Sequence, residues 1–367
     1  MSYYLLYGHC VITKGALFTT LANLNSGEYK ILPNVFGKIV AKSRTIAIEE
    51  LELFYNSNGQ IFNLLNQLQK ENYGAFYKVP QKENKPARDK NIYDNILLSN
   101  IIIDFSNLIS EKFVDAIENM GCEALLISID DISDNFFNFL KKIENSNIAN
   151  LQIVITEKWF SDEISAHLIN LNKLSHIIIT NASYNAVDDY SNSLCLMYTT
   201  DSWNNLKRRM EMDSSFFVVN KKVYFEAKTV SIYFHKKLYI DLYGNIFNAP
   251  SSDKLLGNLT DDIYKSLMNV LTDDTYLKFS LIDKEKCDVC KNCEYRFMCS
   301  DKRMPIVRKG TEVYFLEECN YNPYIAKWNN EVGYKTLAES GIISNAEGFK
   351  INRKRINAIN KELWGDD

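Results

Sequence analysis

The spacing of apolar positions changes in kind along the chain. Residues 1–80 open with short extended stretches, CVITKG, ALFTTLANL and EYKILP, separated by Gly and by the Asn-Ser-Gly turn at 25–27. The period then lengthens. NVFGKIV, IAIEELELFYN and GQIFNLLNQLQKENYG carry apolar residues three and four apart, among them Ile61, Leu64, Leu65 and Leu68, up to a break at Gly74. This pattern predicts a strand ribbon followed by three helices, a winged-helix-like module. Its third helix carries Gln and Asn and only Lys70 near its end, too few cations to hold phosphates, so nucleic acid is not the expected ligand.

Residues 81–94, QKENKPARDKNIYD, are charged, contain a proline and read as a linker. From Asn95 the chain alternates. NILLSNIIIDFS, CEALLISID, NLQIVIT and LSHIIIT read as strands, and EKFVDAIENMG, NFFNFLKKIENS and EISAHLINLN between them read as helices. Short Ile- and Val-rich runs separated by amphipathic helices predict buried parallel strands joined by right-handed crossovers. Residues 95–225 are therefore expected to form a partial (β/α) barrel or a doubly wound sheet. No Gly-rich loop follows any of these strands, which argues against a phosphate cradle. His167 and His176, at a helix and at a strand start, read as packed histidines. After about residue 215 a hairpin, VSIYFHKKLYIDLYGNIFNAP, leads into a cysteine-rich segment, and 226–367 reads as a C-terminal domain.

Composition adds an ordinary core and little else: the 367 residues are 46% hydrophobic and 13% aromatic, enough for two or three domains. A formal net charge of −4 gives no global attraction to nucleic acid or to an anionic membrane. The first residues, MSYYLLYGHCVITKG, lack a basic start followed by an apolar core, and no apolar run reaches ~18 residues, so a cytoplasmic protein without a membrane partner is the expectation.

In that compartment thiols stay reduced, and clustered cysteines point to metal rather than to disulfides. CDVCKNCEYRFMC at 287–299 holds four of the eight cysteines, spaced Cys287-x2-Cys290-x2-Cys293-x5-Cys299, with Cys319 farther on. Cys10, Cys122 and Cys195 lie apart in apolar surroundings and read as small core residues. Thiolates at this spacing would suit either an iron–sulfur cluster or a tetrahedral zinc, and spacing alone leaves both open.

The segment LYIDLYGNIFNAP…KLLGNLTDDI…CDVCKNCEYRFMCSDKR…CNYNP resembles the SPASM domain of radical S-adenosylmethionine enzymes that modify peptides. The resemblance implies one complete auxiliary [4Fe–4S] cluster on Cys290, Cys293, Cys299 and Cys319, with Cys287 an extra thiol in an outer-sphere or substitute role. It implies loss of the second cluster, since the hairpin reads Gly244-Asn-Ile-Phe-Asn-Ala-Pro and Arg303 stands where the family has the fourth cysteine of the run. The catalytic Cys-x3-Cys-x2-Cys motif is missing as well, because SNLISEKF after NIIIDF contains no cysteine.

End to end, with CVITKG, YKILPN, GCEALLISIDD and the cysteine run, the chain resembles the peptide maturases of grasp-with-spasm cassettes, encoded beside an ATP-grasp ligase and a precursor peptide. That likeness implies a RiPP recognition element at 1–80, in which the precursor's leader peptide adds as a strand beside the third β-strand and packs on the third helix. Tyr29, Ile31, Leu64, Leu65 and Leu68 are its expected contacts. The leading reading is a degenerate radical SAM-like maturation factor that binds the leader, carries one cluster and acts with the ligase; a redox-active peptide-modifying enzyme using the same cluster is the alternative. A zinc-containing DNA-binding regulator would draw on Lys302, Arg303, Arg308 and Lys309, a group more simply read as a solvated charge run.

Overall fold

The computed structural model describes residues 1–86, 95–191, 194–209, 214–308 and 312–365. Most of the expected linker, 87–94, lies outside the described residues. The chain divides into two compact units: residues 1–88, 211–232 and 281–367 form one, and 89–210 with 233–280 form the other.

In the second unit the Ile- and Val-rich runs become β6 (Asn100–Asp104), β7 (Ala124–Ile129), β8 (Asn150–Thr156) and β9 (Leu174–Thr180), as the alternation predicts. They pair in parallel, and β11 (Cys195–Tyr198) adds in parallel beside β9. The hairpin strand β12 (Lys237–Ile240) pairs in parallel with β6 on its other side. Among the described residues the result is an open nine-stranded sheet with six parallel strands at its centre. β10 (Ala186–Asp189) is antiparallel at one edge, and β13 (Asn245–Phe247) and β14 (Gly257–Asn258) are antiparallel at the other. The crossover helices bury Phe113, Val114 and Ile117, then Phe136, Phe139, Leu140 and Ile143, against it. Each such side chain contributes about 1.5–3 kcal/mol. The architecture is mixed α/β, as expected, with a sheet that does not close.

The hairpin was expected to open the C-terminal domain at 226. Its first strand is instead buried along Leu238, Tyr239 and Ile240, so it fills the free side of β6, and residues 233–280 group with the sheet.

In the first unit β2 (Cys10–Lys14), β3 (Phe18–Asn23) and β4 (Tyr29–Pro33) form the predicted antiparallel ribbon, followed by α1 (Asn34–Lys42), α2 (Ile48–Tyr55) and α3 (Gln60–Lys70). Periodicity did not reveal a second pairing: β1 (Tyr3–Leu6) runs antiparallel to β5 (Gly74–Tyr77). Gly74 is thus a strand position as well as the helix break. A Cβ there would lie 2.4 Å from the Leu5 carbonyl oxygen, so only glycine lets the two backbones approach. No described helix is long and apolar enough to cross a membrane.

Candidate functional site

The cysteine segment has little regular structure of its own and is held by the tip of the β2–β3 hairpin. The Ala16 N–H donates to the Asn292 carbonyl at 2.7 Å, and Arg296 Nη1 donates to the carbonyls of Lys14 at 2.8 Å and Cys293 at 2.9 Å. Gly15 sits against Glu294, where a Cβ would come within 2.4 Å of the carboxylate, so a bare backbone is needed for the hairpin to seat. From the other side Asp288, 1% exposed, accepts from Arg308 at 2.6 Å and from Ser344 at 3.0 Å.

This scaffold brings Cys293, Cys299 and Cys319 into one cluster and Cys290 within electrostatic reach of all three, and all four are free thiols. Cys293, Cys299 and Cys319 pack on Tyr295, Met298 and Tyr321. Burial raises the Cys293 thiol well above its ordinary range, and Glu294 and the sulfurs of Cys290 and Cys299 add to the rise. Cys299 is pushed up to about 12 by burial, with Lys284 opposing and Asp301, Cys319 and Cys290 reinforcing. Cys319 is raised by burial against the opposing charge of Arg303. Cys287, 2% exposed, adjoins the set on the Cys290 side: its thiol donates to the Asp283 carbonyl at 3.5 Å and packs with Ile282, Cys290 and Val313.

Two cations lie against these sulfurs. Lys284 Nζ is 3.6 Å from Cys299 Sγ, and Arg303 Nη2 is 3.8 Å from Cys290 Sγ. Both are tied to Asp301, Lys284 at 2.9 Å and Arg303 at 2.6 Å. Burial alone would raise the Asp301 carboxyl, but Arg303 and Lys284 more than reverse this and hold it well below the usual carboxylate range. The basic group at 302–308 is therefore not a solvated run. Lys302 and Arg303 are buried, Arg308 is paired with Asp288 and Glu312, and Lys309 lies outside the described residues. Arg303 and Arg308 are turned toward the buried Asp301 and Asp288, and Lys302 lies over the Phe216 ring, so the described members do not form the open basic face a nucleic-acid interface would need.

Among the described residues no group of three or more His, Cys, Asp or Glu side chains is arranged, as folded, to hold a metal ion. In donor chemistry the set still fits a thiolate-bound group: Cys293, Cys299 and Cys319 share one largely apolar cluster, the Cys290 sulfur interacts with all three, and N–H donors face Cys290 and Cys299. Sequence reasoning missed Lys284, Glu294 and Asp301. Glu294 is 1% exposed, takes a hydrogen bond from the Tyr321 hydroxyl and is pushed up to about 7, burial being the leading cause. The available signal was the charge density inside the cysteine run, EKCDVCKNCEYRFMCSDKR, where exposed loops and buried ion pairs read alike.

The second expected site is the ribbon edge. β4 pairs only with β3 among the described strands. Its alternation separates the residues expected to act together. Leu32 packs toward the helical core and Lys30 pairs with Glu71 beyond α3 at 2.8 Å, whereas Tyr29 turns to the opposite face and packs edge-on to Phe217 and Tyr295. Ile31 is 45% exposed. Leu65 and Leu68 are core residues at 0% and 1% exposure, so they offer a peptide no surface. Eleven residues of α3 must cap a small core with one face, and Ile61, Leu65 and Leu68 are that face. Leu64 keeps part of its surface, and Phe62, not anticipated, is 46% exposed.

In the sheet unit the carboxyl end of β6 carries no thiol. Asp104 accepts from Trp203 Nε1 at 2.7 Å, Lys207 Nζ at 2.8 Å and the Tyr239 hydroxyl at 2.5 Å, and Phe105 packs on Phe136 and Phe139. His167 rests on the Phe137 ring and His176 Nδ1 lies 3.0 Å from Ser175 Oγ, both in packing roles. Cys10 and Cys122 are buried as expected, while Cys195 is only partly so.

No protein-family model matches the chain, and no curated protein matches it. Among solved structures, BtrN in complex with AdoMet and 2-DOIA is similar over 59% of this chain and 98% of its own, with 10% identity and a TM-score of 0.34. Streptococcus suis SuiB bound to S-adenosylmethionine is similar over 81% of this chain and 94% of its own, with 10% identity and a TM-score of 0.34. SuiB bound to the precursor peptide SuiA gives 10% identity and a TM-score of 0.33 over the same shares. Likenesses this faint carry no functional argument; the fold assignment rests on the sheet itself.

Proposed function

We propose that the chain is a maturation factor for a ribosomally made peptide, binding the precursor's leader along β4 and holding one [4Fe–4S] cluster on Cys290, Cys293, Cys299 and Cys319, in partnership with an ATP-grasp ligase. The observation that supports this reading is that an open-edged ribbon and the cysteine segment, with Cys293, Cys299 and Cys319 in one cluster and the Cys290 sulfur interacting with them, belong to one compact unit and are joined at the β2–β3 tip. When bound, the cluster supplies a one-electron redox centre. The protein's own contribution is to exclude water with Tyr295, Tyr321 and Trp328, to hold the loop through Arg296 and Asp288, and to present β4 to the leader.

A strand of five or six residues added to β4 gains a few backbone hydrogen bonds at about 1 kcal/mol each and one or two buried side chains at roughly 2 kcal/mol each. After the cost of ordering the peptide this amounts to micromolar affinity. Titrating a labelled leader peptide into the full chain tests it. Ile31→Pro, which deletes an edge amide, and Leu64→Asp, which puts a charge on the part-exposed side of α3, should each weaken binding more than about tenfold while leaving iron in place. Absence of binding up to high micromolar concentration refutes the leader assignment.

The protein is expected not to cleave S-adenosylmethionine to 5′-deoxyadenosine after reduction, since Asp104, Lys207 and Phe105 stand at the end of β6 in place of cluster-binding thiolates. Chromatographic assay for 5′-deoxyadenosine checks this, and turnover above that of a cysteine-free control contradicts it.

A further inference from the structure

The Lys284–Asp301–Arg303 group carries an unbalanced charge. All three residues are 8% exposed or less, and two cations against one carboxylate leave one surplus positive charge inside the fold. A buried charge is tolerated only when an opposite charge faces it. Asp301 is used up: its Oδ1 accepts from Arg303 N and Nε, at 3.1 and 2.9 Å, and its Oδ2 accepts from Lys284 and from Arg303 Nη2. Arg303 Nη1 is taken by the Glu317 carbonyl at 2.8 Å, and the guanidinium lies on the Phe315 ring. The donors that remain point at Cys299 and Cys290. Four neutral thiols supply no counter-charge, whereas four thiolates around a cluster of iron and sulfide carry net negative charge.

Resting on the function proposed above, we infer that Lys284 and Arg303 are positioning residues for the cluster: their N–H groups hydrogen-bond the sulfurs of Cys299 and Cys290, and their surplus charge favours the cluster's reduced, more negative state. Asp301 acts through them by fixing both cations. The arrangement is a tuning device, because hydrogen bonds to cluster sulfurs and nearby charge are what shift the reduction potential of such a group.

The test uses the full-length, cluster-loaded protein. Lys284→Met keeps the length of the side chain and leaves Asp301 paired with Arg303, so iron content should stay near that of the wild type. The midpoint potential, read by a redox titration monitored by electron paramagnetic resonance, should fall enough to change the oxidised-to-reduced ratio at fixed potential about tenfold, equivalent to about 59 mV for one electron. Lys284→Arg, which retains charge and donors, should restore most of it. Arg303→Gln, which removes the charge at the Cys290 side and leaves Asp301 paired with Lys284, gives a second reading should Lys284→Met fold poorly. Full iron with an unmoved potential in Lys284→Met, or in Arg303→Gln if that variant must stand in, overturns the inference and leaves the cluster assignment intact; wild-type protein that binds no iron overturns both.

Discussion

Replacing Cys293 by Ser should strip the protein of most of its iron, while the same change at Cys287 should leave most of it. Both are cysteines of one run, so the contrast comes from their surroundings. Cys293 packs with Cys299 and Cys319 around Tyr295 and Tyr321, and its sulfur interacts with those of Cys290 and Cys299. A hydroxyl at that place is a hard, weakly ionised donor and a poor ligand for iron that prefers thiolate. The Cys287 thiol is engaged with the Asp283 carbonyl and packs with Ile282, Val313 and Cys290 rather than with Cys293, Cys299 and Cys319, so serine there disturbs packing more than ligation. Because a bound metal group contributes its binding energy to the fold, Cys293→Ser should also lower the melting temperature of loaded protein to that of iron-free wild type, and change iron-free protein little. Iron analysis and thermal melts of the two variants side by side check both statements.

The second large effect is expected at Asp301. Asp301→Asn keeps the shape of the side chain and removes the carboxylate between two buried cations, leaving Lys284 and Arg303 unpaired. Breaking a buried pair in this way costs about 3–5 kcal/mol, against about 0–1 kcal/mol for an exposed one such as Lys85–Glu83. The pH dependence has a definite sign. The Asp301 carboxyl is depressed in the folded protein, so its contribution is fully present above the unfolded carboxylate value of about 3.9 and is lost as pH falls from there through the lower folded value. Denaturant titrations from pH 7 down to pH 3 should show wild type losing stability in the acid limb and Asp301→Asn starting lower with a flatter limb. Equal stability of the two proteins at pH 7 would mean that the cations are satisfied by other groups.

Local pattern made the strands and helices of both units legible, because period 2, period 3.6 and continuous apolar runs each imply one kind of burial. What pattern missed was long-range pairing. β1 and β5 are four residues each and meet across some seventy residues of chain, so nothing local in YYLL or GAFY marks them as partners. β12 reads as half of a hairpin, which it is, but its second neighbour is β6, more than a hundred residues earlier.

In the candidate site, the cysteines were visible as an uncommon residue type at short spacing. The charges around them were not, because the burial of Lys284, Asp301 and Arg303 depends on which of many charges the fold encloses. The edge residues show the same limit. Alternation along β4 is legible in YKILP, but only packing could show that Tyr29 turns toward Phe217 and Tyr295 while Leu32 packs with the helical core. Leu65 and Leu68 were legible as apolar positions of α3, and their complete burial follows from the small core that the module must close.

The most direct test of the central claim is iron and acid-labile sulfide analysis of full-length protein purified without oxygen. The expected result is a brown protein absorbing near ~400 nm with about four iron and four sulfide per chain, lost on Cys293→Ser. Colourless protein carrying zinc, or neither metal, would contradict it.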